Sequence, residues 1–114
     1  RKPADHAKAS AMIELKSETA APGEAVIHVS GEIDMNTSPK LRELLQSATA
    51  QKMKKITVNL ANVSYMDSSG IATLVECLQA VDALKGHLIL KGMLPDVRAV
   101  FEIAHLTEVF EIVD

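Results

Sequence analysis

The stretch Tyr65-Met66-Asp67-Ser68-Ser69-Gly70-Ile71-Ala72 separates two different hydrophobic patterns. Before it, residues 56–60 alternate β-branched or apolar side chains with polar ones, which predicts a strand. After it, apolar residues recur at three- and four-residue steps, which predicts an amphipathic helix of about four turns that ends near Gly86. The stretch is therefore predicted to be a strand-to-helix turn. The apolar positions of the helix are Ile71, Leu74, Val75, Leu78, Val81 and Leu84.

Three polar residues, Asp67, Ser68 and Ser69, crowd the predicted start of this helix. One interpretation is a helix N-cap and nothing more, because Asp and Ser are preferred at that position in every fold. However, one capping residue is enough. The N-terminus of a helix also directs backbone N–H groups outward at the positive end of its dipole, where a bound or covalent phosphate is well placed. From the local pattern alone, both interpretations stay open.

Length and composition predict one α/β domain. The chain has 114 residues, of which 47% are hydrophobic, with one Tyr, two Phe and no Trp, so its core is expected to be aliphatic. Residues 1–10 are polar and rich in alanine without periodicity, and they are expected to form a flexible N-terminal arm. Residues 11–114 contain no repeat, linker or low-complexity tract and are expected to form the domain.

The predicted element order is β-β-α-β-α-β-α-β. Strands joined through helices pair in parallel with right-handed crossovers, whereas the opening hairpin adds an antiparallel strand. We therefore expect a mixed, mostly parallel β-sheet of four to five strands with helices packed mainly on one face. In the first half of the chain, the other predicted segments are a hairpin of residues 12–16 and 25–29 around a turn at 18–24, a loop at 31–39, and a helix from the N-cap Ser38 to about Lys52. In the second half, a strand at 87–91 follows the C-cap Gly86, and a helix opened by Pro95 leads to a last strand at 109–113. The apolar face of that last helix is predicted to comprise Val97, Val100, Phe101 and Ala104.

Charge and cysteine content exclude several classes of partner. The formal net charge is −3, so no basic surface for nucleic acid or anionic membrane is expected. No apolar run approaches 18 residues, which argues against direct membrane insertion. Cys77 is the only cysteine and is expected to be a semi-buried structural thiol, which suits a reducing compartment. We therefore expect a cytoplasmic protein. We also expect a monomer, because nothing in the sequence requires a larger assembly.

The sequence also lacks the equipment of an enzyme. A serine hydrolase elbow requires glycine two residues before the nucleophile, and Met66 stands there before Ser68. The four histidines, His6, His28, His87 and His105, are expected to be surface or satisfied residues. Metal-ligand spacings and nucleotide-binding glycine motifs are absent, so neither a metal nor a cofactor is predicted.

Two separated motifs carry a family resemblance. The Asp67-Ser68-Ser69-Gly70-Ile71 turn and the segment 56–66 before it resemble the signature of STAS domains of the anti-sigma factor antagonist type. The Gly31-Glu32-Ile33-Asp34 loop resembles the second recognisable element of that family, at a similar spacing. The resemblance covers about residues 11–114. Ala72 departs from it, because many members have glycine there.

The resemblance implies a phosphorylation switch instead of catalysis. In such antagonists an anti-sigma factor serine/threonine kinase, which also holds a sigma factor or another effector, phosphorylates the first serine of the turn, here Ser68. The unmodified antagonist binds the kinase and frees its client, and a PP2C-type phosphatase restores binding after phosphorylation. The implied docking surface comprises Glu32, Asp34, Asn36, Asp67, Ser69 and Gly70, of which Asp67 would shape the turn while Ser69 and Gly70 would admit partner backbone.

A second hypothesis is a STAS adaptor that is not phosphorylated. Relatives of this type serve as subunits of lipid-transport ABC systems or of signalling assemblies. The intact Asp67-Ser68-Ser69-Gly70 turn favours the switch, because an adaptor has no need of a hydroxyl at Ser68.

Overall fold

The computed structural model describes residues 13–114, which form five strands and three helices. The predicted N-terminal arm and residues 11 and 12 lie outside the described residues. In chain order, the elements are β1 Ile13–Ala21, β2 Glu24–Ile33, α1 Ser38–Ala50, β3 Lys55–Met66, α2 Ser68–Ala83, β4 His87–Lys91, α3 Pro95–Ile103 and β5 Glu111–Val113.

The five strands form one sheet in the order β1-β2-β3-β4-β5. The β1–β2 pair is antiparallel and the other three pairs are parallel, which confirms the predicted mixed, mostly parallel sheet. Each of the three crossovers advances by one strand in the same direction. Since such crossovers are right-handed, α1, α2 and α3 pack on one face of the sheet, as predicted.

The core lies between this helical layer and the sheet. Inward-facing side chains at adjacent register positions are fully buried, for example Ile27 beside Val58 and Val58 beside Leu90. The alternate residues Thr57 and Asn59 face the uncovered side and are only half-buried. The core is mainly aliphatic, and its two Phe rings, of Phe101 and Phe110, meet edge to face at 5.5 Å.

Several predicted boundaries were wrong. Strand β2 continues to Ile33, because Glu32 and Ile33 pair with the extended end of β3, so the predicted loop is shorter. The N-cap of α1 is Thr37 instead of Ser38, and the helix ends at Ala50, before Lys52 takes a positive φ of 59°. Strand β5 begins only at Glu111.

The predicted ends of α2 and α3 also need correction. Helix α2 ends at Ala83, and Lys85, with φ of 59°, occupies the left-handed position that Gly86 was predicted to take. The Gly86 N–H donates to the Val81 carbonyl at 2.9 Å, which closes the helix end. Ala104 was predicted on the apolar face of α3, but it lies past the helix end and is exposed.

Candidate functional site

The candidate site lies where β2 and β3 end side by side. These strands are parallel and their last residues, Ile33 and Met66, are register partners. The Asp67 N–H donates to the Ile33 carbonyl at 3.1 Å. The sheet therefore brings the loop after β2 against the first turn of α2, and the two sequence motifs share one surface.

Asp67 is the N-cap of α2 and has the extended backbone typical of that position. Its Oδ1 accepts the Ser69 N–H at 2.9 Å and the Ser69 hydroxyl at 2.6 Å. The Ser69 hydroxyl does most to lower the pKa of Asp67 below 3.8; partial burial opposes it, and the N–H groups of Ser69, Gly70 and Met35 add to the lowering. Asp67 is therefore an ionised cap at neutral pH.

Ser68 and Ser69 have different environments although they are adjacent. Ser69 is half-buried and its hydroxyl is bound to Asp67. Ser68 is exposed, and within residues 13–114 its hydroxyl makes no hydrogen bond. Since Asp67 supplies the cap through Ser69, α2 does not depend on the Ser68 hydroxyl.

The loop after β2 is ordered by Asp34. Its Oδ1 accepts the N–H groups of Asn36 at 2.8 Å and Thr37 at 3.1 Å. The buried Thr37 hydroxyl donates to the Glu32 carbonyl at 2.8 Å, and the Asp34 N–H donates to Thr37 Oγ1 at 2.9 Å. The loop is therefore held rigidly while Glu32 stays partly exposed and Asn36 fully exposed. This arrangement places Glu32, Asp34 and Asn36 beside the start of α2.

Gly70 has a structural task that the sequence did not reveal. It is buried, and a Cβ atom there would lie 2.7 Å from Ile33 Cγ2 and 2.7 Å from Met66 Cγ. The missing side chain thus lets α2 pack on the ends of β2 and β3. Its predicted role in admitting partner backbone stays a prediction.

Two exposed apolar side chains complete the surface. Met35 is 77% exposed in the Asp34 loop, and Tyr65 is 50% exposed opposite Glu32. The sequence did not separate Met35 from the core methionines. The exposure of Tyr65 could not be predicted from hydropathy either, because its position follows a register shift in the β2–β3 pair between Gly31 and Glu32.

The surface is acidic. Within residues 13–114, the carboxylates of Glu32, Asp34 and Asp67 take part in no ion pair. In the same range, no three His, Cys, Asp or Glu side chains are grouped so that they could hold a metal ion. The helices of the described chain are all too short or too polar to cross a membrane.

Comparison with known proteins identifies the family, because the STAS domain family matches residues 15–114. The chain is a STAS domain. Over 86 residues it is 34% identical to the anti-sigma-B factor antagonist of Listeria monocytogenes, a match that covers 75% of each chain.

Solved structures share the fold of this chain. An anti-sigma factor antagonist from Mycobacterium paratuberculosis superposes with a TM-score of 0.80 at 25% identity, covering 89% of this chain and 85% of the other. The Bacillus cell fate determinant SpoIIAA in its phosphorylated form superposes with a TM-score of 0.71 at 25% identity, covering 89% and 92%. The present STAS domain thus shares its fold with an anti-sigma factor antagonist and with SpoIIAA in its phosphorylated form.

Proposed function

We propose that this STAS domain is an anti-sigma factor antagonist switched by phosphorylation of Ser68. In its unphosphorylated form it binds an anti-sigma factor serine/threonine kinase in the cytoplasm and releases the client of that kinase, a sigma factor or another effector. The domain is a binding module in this scheme, with no reaction of its own. The observation that carries the proposal is an exposed Ser68 hydroxyl beside a helix cap that Asp67 supplies without it.

The electrostatics of the site support a switch in binding instead of a change in fold. A phosphate adds about −1.5 to −2 charges, and the N-terminus of α2 tolerates this charge because its N–H groups and dipole face it. The neighbouring Asp67, Asp34 and Glu32 already make the surface negative. Burying a further uncompensated dianion in an interface costs on the order of 3 kcal/mol, which weakens binding by more than a hundredfold.

The relatives support the same role. The Listeria relative is named an anti-sigma-B factor antagonist, and SpoIIAA was solved in a phosphorylated form with the fold of this chain. A domain of this architecture therefore accommodates a phosphate. By analogy, a PP2C-type phosphatase would remove the phosphate from Ser68 and restore binding to the kinase.

Intact mass and peptide mapping after incubation with ATP and each anti-sigma kinase of the same genome test the proposal. We expect one added phosphate, located on Ser68. Ser68→Ala should abolish the transfer, whereas Ser69→Thr, which keeps the hydroxyl bound to Asp67, should retain it. Phosphate on Ser69, or no transfer from any kinase, would count against the switch, and stable binding to a membrane-transport protein would then favour the adaptor hypothesis.

The binding consequence needs a separate measurement. Ser68→Asp should weaken kinase binding strongly in calorimetric titrations, and Ser68→Ala should retain it. Both variants should keep the free energy of unfolding within about 1 kcal/mol of the parent, because Ser68 is exposed and does not cap α2. A large loss of stability in both would show that Ser68 is structural.

A further inference from the structure

Met35 is an exposed apolar side chain on a rigid loop. The residues around it are held by Asp34, whose carboxylate accepts the N–H groups of Asn36 and Thr37 and whose carbonyl accepts the Thr37 N–H. These bonds fix the backbone at Met35, yet the residue is 77% exposed. Folding therefore gains little from its apolar side chain, because apolar surface stabilises a fold only where it is removed from water.

Met35 lies against the turn that carries Ser68. Its backbone N–H is one of the groups that lower the pKa of Asp67, so it is within reach of the carboxylate that caps α2. The sheet gives the same placement. Ile33 and Met66 are register partners, and Met35 follows the first by two residues as Ser68 follows the second. A specific interface covers about 800 Å² of each partner, so a protein that closes on Ser68 also covers Met35.

The groups near Met35 at this end of the sheet are acidic. Glu32, Asp34 and Asp67 carry carboxylates there, none of which pairs with a cation in the described part of the chain. An apolar side chain among charged groups is the usual arrangement of an interface, in which a desolvated centre is bordered by a polar rim. The complementary surface is an apolar pocket bordered by Lys or Arg side chains.

We propose that Met35 is the apolar anchor by which the anti-sigma factor kinase holds this chain while it acts on Ser68. This inference rests on the proposed function and adds the side chain that holds the complex and the chemistry of the kinase surface, a pocket for an unbranched apolar side chain with a cationic border. Because the Asp34 loop already fixes the backbone, binding has to order only the Met35 side chain, which lowers the entropic cost. Its flexible thioether adapts readily to the walls of such a pocket.

The anchor and the carboxylates affect different rate constants. Long-range charge steers the encounter, so Glu32→Lys should lower the association rate constant about tenfold at low salt. A buried anchor acts after the encounter, so Met35→Gln should raise the dissociation rate constant about tenfold or more and leave association nearly unchanged. Glutamine has the same length as methionine and is also unbranched, so this variant removes the apolar character without changing the size of the side chain much.

Surface plasmon resonance on the kinase that phosphorylates Ser68 measures both rate constants. Ile103→Gln and Glu108→Lys are the matched controls, because both residues are exposed and follow α3 towards the opposite end of the parallel strands. Each control should leave both rate constants within about twofold of the parent. Met35→Leu keeps an apolar side chain and should bind nearly as tightly as the parent. Circular dichroism should show that all variants are folded.

The outcomes separate this inference from the proposed function. If the kinase phosphorylates Ser68 but Met35→Gln dissociates at the rate of the parent, the anchor is wrong and the proposed function stands. If Ile103→Gln speeds dissociation as much as Met35→Gln does, the effect is not specific to this loop and the anchor is again wrong. If no kinase binds or phosphorylates the parent chain, both the anchor and the proposed function are overturned.

Discussion

At the scale of single residues, Asp67 determines how the first turn of α2 is held. Its carboxylate accepts two hydrogen bonds from Ser69, one of them from the backbone N–H that the helix leaves unpaired. We predict that Asp67→Ala lowers the free energy of unfolding by about 1 kcal/mol, the usual cost of a lost N-cap. Asp67→Asn keeps an acceptor oxygen and should lose less. Urea unfolding at neutral pH checks the order, and equal losses would contradict the capping role.

The charge of Asp67 predicts a dependence on pH. Because the pKa of Asp67 is lowered from 3.8 in the folded chain, the ionised form adds stability that is fully present above that value and is lost as the pH falls through the folded pKa. The difference in stability between the parent and Asp67→Asn should therefore be constant near pH 7 and shrink below pH 3.8. Unfolding measured at both pH values checks this, and an unchanged difference at low pH would show that the charge is irrelevant.

The sequence predicted the residues of this turn but not the division of labour among them. Three adjacent polar residues signal a helix start, because any of them can cap it. Which serine hydroxyl binds the Asp67 carboxylate depends on the Ser69 rotamer and on how closely α2 approaches β2 and β3, where Gly70 has no side chain. That information lies in tertiary packing. The free hydroxyl of Ser68 could be inferred only by family resemblance.

At the scale of elements, the end of α2 shows how packing overrides a local signal. Gly86 was predicted as the C-cap because glycine favours the left-handed conformation. The structure instead places Lys85 in that conformation. At position 86, a Cβ atom would overlap the Lys54 carbonyl oxygen. The glycine is thus required by a close backbone approach, a contact between segments that local sequence does not reveal.

This arrangement predicts opposite effects at two adjacent positions. Lys85→Gly should stabilise the domain by up to about 1 kcal/mol, because it relieves a left-handed lysine. Gly86→Ala should destabilise it by about 1–3 kcal/mol, because the backbone must move. Thermal unfolding of the two variants compares them directly. A stabilising Gly86→Ala would mean that β4 tolerates a shift away from Lys54.

At the scale of the whole molecule, the sequence predicted the architecture better than its edges. Alternation along β3 and helical periodicity along α2 specify a one-sided layered fold, because each pattern has one continuous apolar face. The ends of β2 and β5 were less predictable, because they depend on pairing with neighbouring strands. Pairing partners are set by topology, which a linear pattern reports only indirectly.

Because all elements share one core, the apolar side chains of a single helix should contribute very differently to the free energy of unfolding. Phe101 is fully buried on α3 and packs edge to face on Phe110, whereas Ile103, two residues later, is 80% exposed. Phe101→Ala should therefore cost about 3–5 kcal/mol, since it leaves a cavity in the core that all the elements share. Ile103→Ala is the matched control and should stay within about 0.5 kcal/mol.

Urea unfolding followed both by helix signal and by proteolysis of β1 checks the effect, and Phe101→Leu gives a milder variant should the alanine form not fold. We expect a single unfolding transition with a lower free energy of unfolding for the whole domain, because Phe101 lies in the same cluster of buried residues as Ile27 and Val58. If α3 alone unfolded while β1 and β2 stayed protected from proteolysis, the C-terminal elements would form a separate unit.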